Sequence, residues 1–432
     1  MHRDCLLILL QGGSSVKDCW LTCSRCSRKQ PIDSLQGQCE CGGALLVEYD
    51  LEQAGRTLTK ESLATRSSSM WRYHEVLPVR NLQSIVSLGE GCTPLVRLNR
   101  LEQQLSIADL RVKREEQNPT GSFKSRGFSA AVSLLQERGI CKAAVPSNGN
   151  AAAALAAYAA RAGIEAYVLI PQDCPGMIVE ECIHYGAHTC LVEGLIHDAA
   201  QIIAEGKAEQ GWFNVGTLKE PGRVEGKKTM GWEIAEQLDW RLPDVIVYPT
   251  GGGSGIIGLW KAFQEMRQMG FVQGDLPRLV SVQEAGCQPI VEAIGLHRAF
   301  VQPPTGPITS NPTGMRVSHP PDGNLIVSIL RETNGTALAV TAEEIASAQK
   351  TLGAHGISSS PEGAATLAGL LRLRETGFLS PSDRVVLFNT SHALKYIPFT
   401  PSRSVPLIRS YKDFLDLQNR TAPSQSQGGG KN

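Results

Sequence analysis

Residues Asn118–Phe128 read NPTGSFKSRGF, a tight run of small and turn-forming residues with one lysine, set directly before a helical pattern. The pattern "KSRGFSAAVSLLQERG" keeps helical period and stops at Gly139, while "LRVKREE" upstream reads as a strand. Lys124 is therefore expected at the start of a helix that follows a strand. A helix N-terminus carries unsatisfied N–H groups and partial positive charge, which makes it a poor seat for a structural lysine and a good one for lowering a lysine's pKa. A deprotonated amine can form a Schiff base with a carbonyl compound. A solvated surface lysine is the competing reading.

The same strand–loop–helix order recurs outward from this stretch. "DVIVYPTGGGSG" runs from a strand into a glycine loop, and "IIGLWKAFQEM" is the helix after it. Gly251, Gly252, Gly253, Ser254 and Gly255 then offer consecutive backbone N–H groups to an anion. The loop lacks the Walker lysine and the Rossmann spacing, so one small phosphate suits it better than a nucleotide; a plain tight turn is the alternative. In "CKAAVPSNGNAAAALAAYAARAG", Ser147, Asn148, Gly149 and Asn150 open another helix and suit a carboxylate, or serve as its cap. "IEAYVLIP", "RLVSVQEAG" and "DRVVLFNTS" add strands. Repeated strand–helix alternation predicts an α/β protein of two parallel-sheet domains with ligand in the cleft at the strand carboxyl ends. A Schiff-base lysine beside a single-phosphate cradle points to pyridoxal 5'-phosphate. Thr390 or Ser391, after a late strand, would meet the ring nitrogen with a hydroxyl.

The chain has 432 residues, too many for one ordinary core. Its 42 basic and 42 acidic residues cancel, which leaves no electrostatic case for nucleic acid or an anionic membrane. "LLILL" near the start is too short to span a bilayer, and a cytoplasmic location is expected. Of twelve cysteines, five lie between Cys19 and Cys41. Cys23-x2-Cys26 and Cys39-x-Cys41 form two knuckles that can supply four thiolates to one structural Zn²⁺; four free thiols are the alternative. The expected organisation is a flexible extension over 1–18, a zinc-ribbon-like segment over 19–50, a linker over 51–90, a catalytic region over 91–412 whose smaller subdomain spans about 128–215, and a disordered tail over 413–432.

Together these stretches resemble the threonine synthases, within the fold type II (tryptophan synthase β-like) enzymes that use pyridoxal phosphate. The resemblance runs from about Cys23 to about Tyr396. It implies that Lys124 carries the cofactor, that Asn150 meets its 3'-oxygen, that "PTGGGSG" holds its phosphate and that Thr390 faces its ring nitrogen. "PGRVEGKKT" is similar to the family's arginine segment, which implies that Arg223, joined by Lys219 or Arg126, holds a substrate phosphate. The implied reaction converts O-phospho-L-homoserine and water to L-threonine and phosphate. Dehydration of serine or threonine, or a cysteate synthase-like replacement on O-phosphoserine, is the alternative on the same fold. A non-enzymatic sensor is disfavoured by the presence of Lys124, Asn150 and Thr390. Ser125 and Ala151 depart from the family's usual Asp and Thr, and both are expected on the substrate side. The partner is a small amino-acid phosphate; a homodimer is expected by analogy alone.

Overall fold

The computed structural model describes residues 19–34, 37–310, 313–400 and 404–421; the extension expected over 1–18 and the last part of the tail lie outside them. Two sheets carry the fold. The larger has six strands in the order Thr336–Val340, Arg278–Glu284, Val245–Pro249, Arg384–Asn389, Asp109–Arg114, Leu95–Arg97, all parallel except the last pair. The smaller has five parallel strands in the order Leu407–Ile408, His188–Val192, Glu165–Pro171, Lys142–Pro146, Phe213–Asn214.

Both sheets are covered on both faces, and the period of two along each strand shows how. In the large sheet Ile246 and Tyr248 pack into one core with the helices Gly222–Gln237, Ser254–Gln268 and Gly323–Glu332. Val245 and Val247 point the other way, onto the helices Ala342–Ala354 and Pro361–Glu375. In the small sheet Ala143 and Val145 face the alanine-rich helix Asn150–Ala162, whereas Ala144 faces Ile202, Trp212 and Phe414. Small alanines along one helix let it lie close to the sheet.

The N-terminal segment is a separate antiparallel ribbon, Lys29–Pro31, Cys19–Cys23, Leu45–Tyr49, with its own small core of Leu21, Ile32, Leu45 and Val47. It docks on the catalytic body: Ser24 Oγ and the Ala44 N–H both donate to Asp322, at 2.6 and 3.0 Å, and Tyr49 donates to Glu225 at 2.7 Å. Residues 51–90, expected as a linker, form short helical turns whose Met70, Trp71, Leu77 and Val79 pack on Ala130 and Leu134 of the helix Lys124–Glu137.

The expectation of a disordered tail from 413 needs correcting. Leu407–Ile408 pairs with His188–Val192, and the helix Tyr411–Thr421 follows with Phe414 buried. Tyr411, Phe414 and Leu417 recur at helical spacing and supply an apolar face for the small domain. Among the described residues, no helix is long and apolar enough to cross a membrane.

Candidate active site

The loop of residues 118–123 is stitched to the end of the strand Arg384–Asn389, and that stitching positions Lys124. The Phe123 N–H donates to the Thr390 carbonyl (3.0 Å), and the His392 N–H donates to the Gly121 carbonyl (3.1 Å). The Ser391 hydroxyl donates to the Gly121 carbonyl at 3.2 Å. Asn118 ties the loop's start to Glu115, and the Lys395 ammonium donates to the Thr120 carbonyl at 2.9 Å. Lys124 opens the helix Lys124–Glu137, as its sequence context predicts, with its amine 3.8 Å from the centre of the Phe123 ring. Burial brings its pKa down to about 7; the Arg223 charge adds to this and Glu362 opposes it. At neutral pH a large share of Lys124 is therefore the free amine.

Lys124 faces a cleft of about 250 Å³ between the two sheets. Its walls include Ser147, Asn148, Gly149, Asn150 and Ala151 from the small domain, and Gly251, Gly252, Gly253, Ser254, Gly255 and Thr390 from the large one. The glycine loop begins the helix Ser254–Gln268, whose first N–H groups have no intrahelical acceptors. Gly253 has φ +76°, and a Cβ there would lie 2.0 Å from Ile326, so the loop's shape needs glycine. On the facing helix, Ser147 Oγ accepts from the N–H groups of Gly149 and Ala152, both at 3.0 Å. Ser147 is thus partly used in capping. Asn150 donates to Tyr396 Oη at 2.9 Å and accepts from Ser391 at 3.4 Å.

Three expected roles change. Arg126 is not near the cleft wall. It is fully buried between Glu115 and Glu233, with four guanidinium–carboxylate hydrogen bonds of 2.5–2.7 Å and two more to the Thr93 and Thr229 hydroxyls, which leave it nothing to offer a substrate. Ser125, expected on the substrate side, turns inward, its Oγ 2.8 Å from Thr120 Oγ1, and braces the lysine loop; Ala151 does line the cleft. Arg223 lies behind the wall rather than on it, packed over Phe128 at 4.4 Å with Nη1 donating to the Val215 carbonyl. Its Nε and Nη2 are buried without a hydrogen-bond partner, and burial lowers its pKa to about 10 against the pull of Glu220. Lys219 does reach the wall, and it donates to Gln38 of the ribbon.

Other wall residues went unnoticed in the sequence. Glu362 enters from the start of the helix Pro361–Glu375, accepts from the Gly314 N–H at 2.9 Å, and leaves Oε2 buried without a partner. His197, His319, Asn214 and Thr217 also line the cleft. None belongs to a local motif, so no spacing could have marked them.

Residues 86–391 match the family described as pyridoxal-phosphate dependent enzymes. A threonine synthase of Methanocaldococcus jannaschii is 37% identical over 375 residues, which cover 86% of this chain and 92% of that one. The chain belongs to the threonine synthase family of pyridoxal-phosphate-dependent enzymes. A threonine synthase of Mycobacterium bovis is 33% identical over 339 residues, or 78% of this chain and 90% of that one. Among solved structures, maize serine racemase has a similar fold, with a TM-score of 0.60 at 21% identity over 73% of this chain and 93% of that one. The cleft fits the family's cofactor on its own geometry. It holds a partly neutral amine, a glycine cradle where a Cβ at 252 would crowd Thr217 of the wall at 3.0 Å, and the polar groups of Asn150 and Thr390 from the two domains.

The four ribbon cysteines also converge. Their sulfurs all lie within 4.8 Å of one another, with Cys23 3.4 Å from Cys41 and Cys26 3.7 Å from Cys39. Four sulfurs bound tetrahedrally at Zn–S ≈ 2.3 Å stand about 3.8 Å apart, so the spacing suits zinc.

Proposed function

We propose that this enzyme converts O-phospho-L-homoserine and water to L-threonine and phosphate. The observation that carries this reading is the meeting of one low-pKa lysine with two separate anion-binding features in a single cleft. The glycine loop serves the cofactor's phosphate. Lys219, Ser147 and Asn148 on the wall serve the phosphate and carboxylate of a substrate. Bound in the cleft, pyridoxal phosphate supplies an electron sink for negative charge at the substrate's α-carbon.

The residues then divide the work. Lys124 accepts the α-proton and is placed to move protons at Cβ and Cγ. Overall the Cγ–O bond to phosphate breaks, water gives its hydroxyl to Cβ and its other proton to the released phosphate, and one proton passes from Cβ to Cγ. Lys219 holds the leaving phosphate, and the partnerless Nε and Nη2 of Arg223 add positive potential from behind the wall. Ser147–Asn150 orient the carboxylate, and Thr390 with Asn150 orients the cofactor ring. The test is to measure phosphate and threonine together from O-phosphohomoserine. Equal amounts are expected. Oxo-acid from serine or threonine, or product from O-phosphoserine with sulfite, in place of threonine would replace this reading with its alternatives.

The enzyme is proposed to work in the cytoplasm with a zinc ion on Cys23, Cys26, Cys39 and Cys41. The ribbon's core is too small to stand alone, so the metal contributes directly to its folding. One zinc per chain is expected by elemental analysis. Cys23→Ser should lower that content and, by loosening the Gln38–Lys219 contact, raise KM more than it lowers kcat. A full complement of zinc in the variant, or none in the parent, would remove the metal assignment.

A further inference from the structure

The helix Gly222–Gln237 carries two adjacent lysines with opposite surroundings. Lys228 is fully buried and donates to Glu225 at 2.6 Å and to Glu265 at 2.9 Å. Lys227 is equally buried, yet among the described residues its one hydrogen bond runs to a neutral group, the Ser254 hydroxyl, at 2.8 Å. Two other fully buried cations have carboxylate partners: Lys113 has Glu233, and Arg126 has Glu115 and Glu233. Beside Lys227 stand Lys124 and Arg223, both positive when charged, with Glu220 the one opposing group. An amine buried this way is costly unless an anion completes it.

The place of that anion follows from Ser254. Its hydroxyl belongs to the glycine loop at the start of the helix Ser254–Gln268 and lines the cleft, whereas Lys227 lies behind the loop and does not. A substrate in the cleft cannot reach Lys227, but a phosphate seated in the loop would touch the hydroxyl that Lys227 holds. The loop itself contains no cation, and its N–H groups carry only partial charge. We propose that Lys227 is a positioning residue for the cofactor's phosphate, fixing the Ser254 hydroxyl and setting a full positive charge beneath the glycine loop. Without phosphate, burial, Arg223 and Lys124 press Lys227 toward its neutral form. An arriving dianion favours the ammonium, so cofactor binding should take up a proton here.

The test uses the full chain, stripped of cofactor and reloaded, and needs no substrate. Lys227→Met keeps length and apolar bulk and removes the charge. Its cofactor dissociation constant, followed by absorbance, is expected to rise roughly ten- to a hundredfold, the range for a lost charge-assisted hydrogen bond. Inorganic phosphate should protect the stripped variant from reloading correspondingly less well. The ³¹P resonance of the bound phosphate, expected to be pH-independent in the parent around neutrality, should titrate in the variant. Unchanged affinity and an unchanged ³¹P profile would overturn the proposal. So would a variant that only melts lower, since a prop for the loop would move stability without moving the phosphate signal. If Lys227→Met does not fold, Ser254→Ala is read by the same measurements, with a smaller shift in the same direction expected and no shift counting against the proposal.

Discussion

Lys124→Ala is expected to lower release of both phosphate and threonine by roughly 10³-fold, the scale of losing a positioned proton-transfer group. The protein should stay folded, because the side chain removed is an amine whose charged form the site disfavours. Its pH behaviour gives a second readout. A lysine with its pKa near 7 in the folded protein and 10.5 in the open chain binds fewer protons folded than unfolded between those values. Stability of the cofactor-free parent should therefore rise with pH across that window and be lost as pH falls toward 7. The variant should lack that component. Labelling of the parent's Lys124 by a small aldehyde and borohydride, mapped by mass spectrometry, should climb through pH 7 and then level off. Labelling that climbs only near pH 10 would contradict the low pKa and, with it, the role of free base.

Arg126→Ala is expected to be the most destabilising single change described, by about 3–5 kcal/mol, since it strands two buried carboxylates. Denaturant melts of the cofactor-free protein would measure it. Burial alone would raise the pKa of Glu233, but Arg126 and Lys113 outweigh it and hold the group at about 2. The stability tied to that ionisation is fully present above about 4.5 and is lost as pH falls toward 2. Without Arg126, the acid transition should begin at higher pH. A loss under 1 kcal/mol would show that Lys113 alone can support both glutamates.

What could be read from the sequence was local. Apolar runs such as Val245–Tyr248 and the loops that follow them declare strand, turn and helix within a dozen residues, and those loops face one cleft. What could not be read depends on distant partners. Nothing near Arg126 announces Glu233, 107 residues on. Glu362 reaches the cleft from a helix start whose Ser-Pro opening reads as an ordinary cap. Ser125 looked like a substrate contact because it follows Lys124, but successive helix positions point about 100° apart, and Ser125 turns to Thr120. In the tail, polar neighbours concealed the spacing of Tyr411, Phe414 and Leu417.

The route of the chain through the two sheets also bears on how the protein comes to be folded. The large sheet needs Arg384–Asn389 to join Asp109–Arg114 to Val245–Pro249, and the small sheet gains its edge only with Leu407–Ile408. The large sheet is whole only once Arg384–Asn389 has been made, and the small one only once Leu407–Ile408 has. Until then the strand Asp109–Arg114 lacks its inner neighbour and His188–Val192 is an open edge. Such late, long-range parallel pairing makes for slow folding and a window of exposure to wrong partners. A cofactor seated in the cleft between the sheets, as proposed above, would meet its site only once both are built, and would act as a lock on the finished protein and not as a template for its assembly.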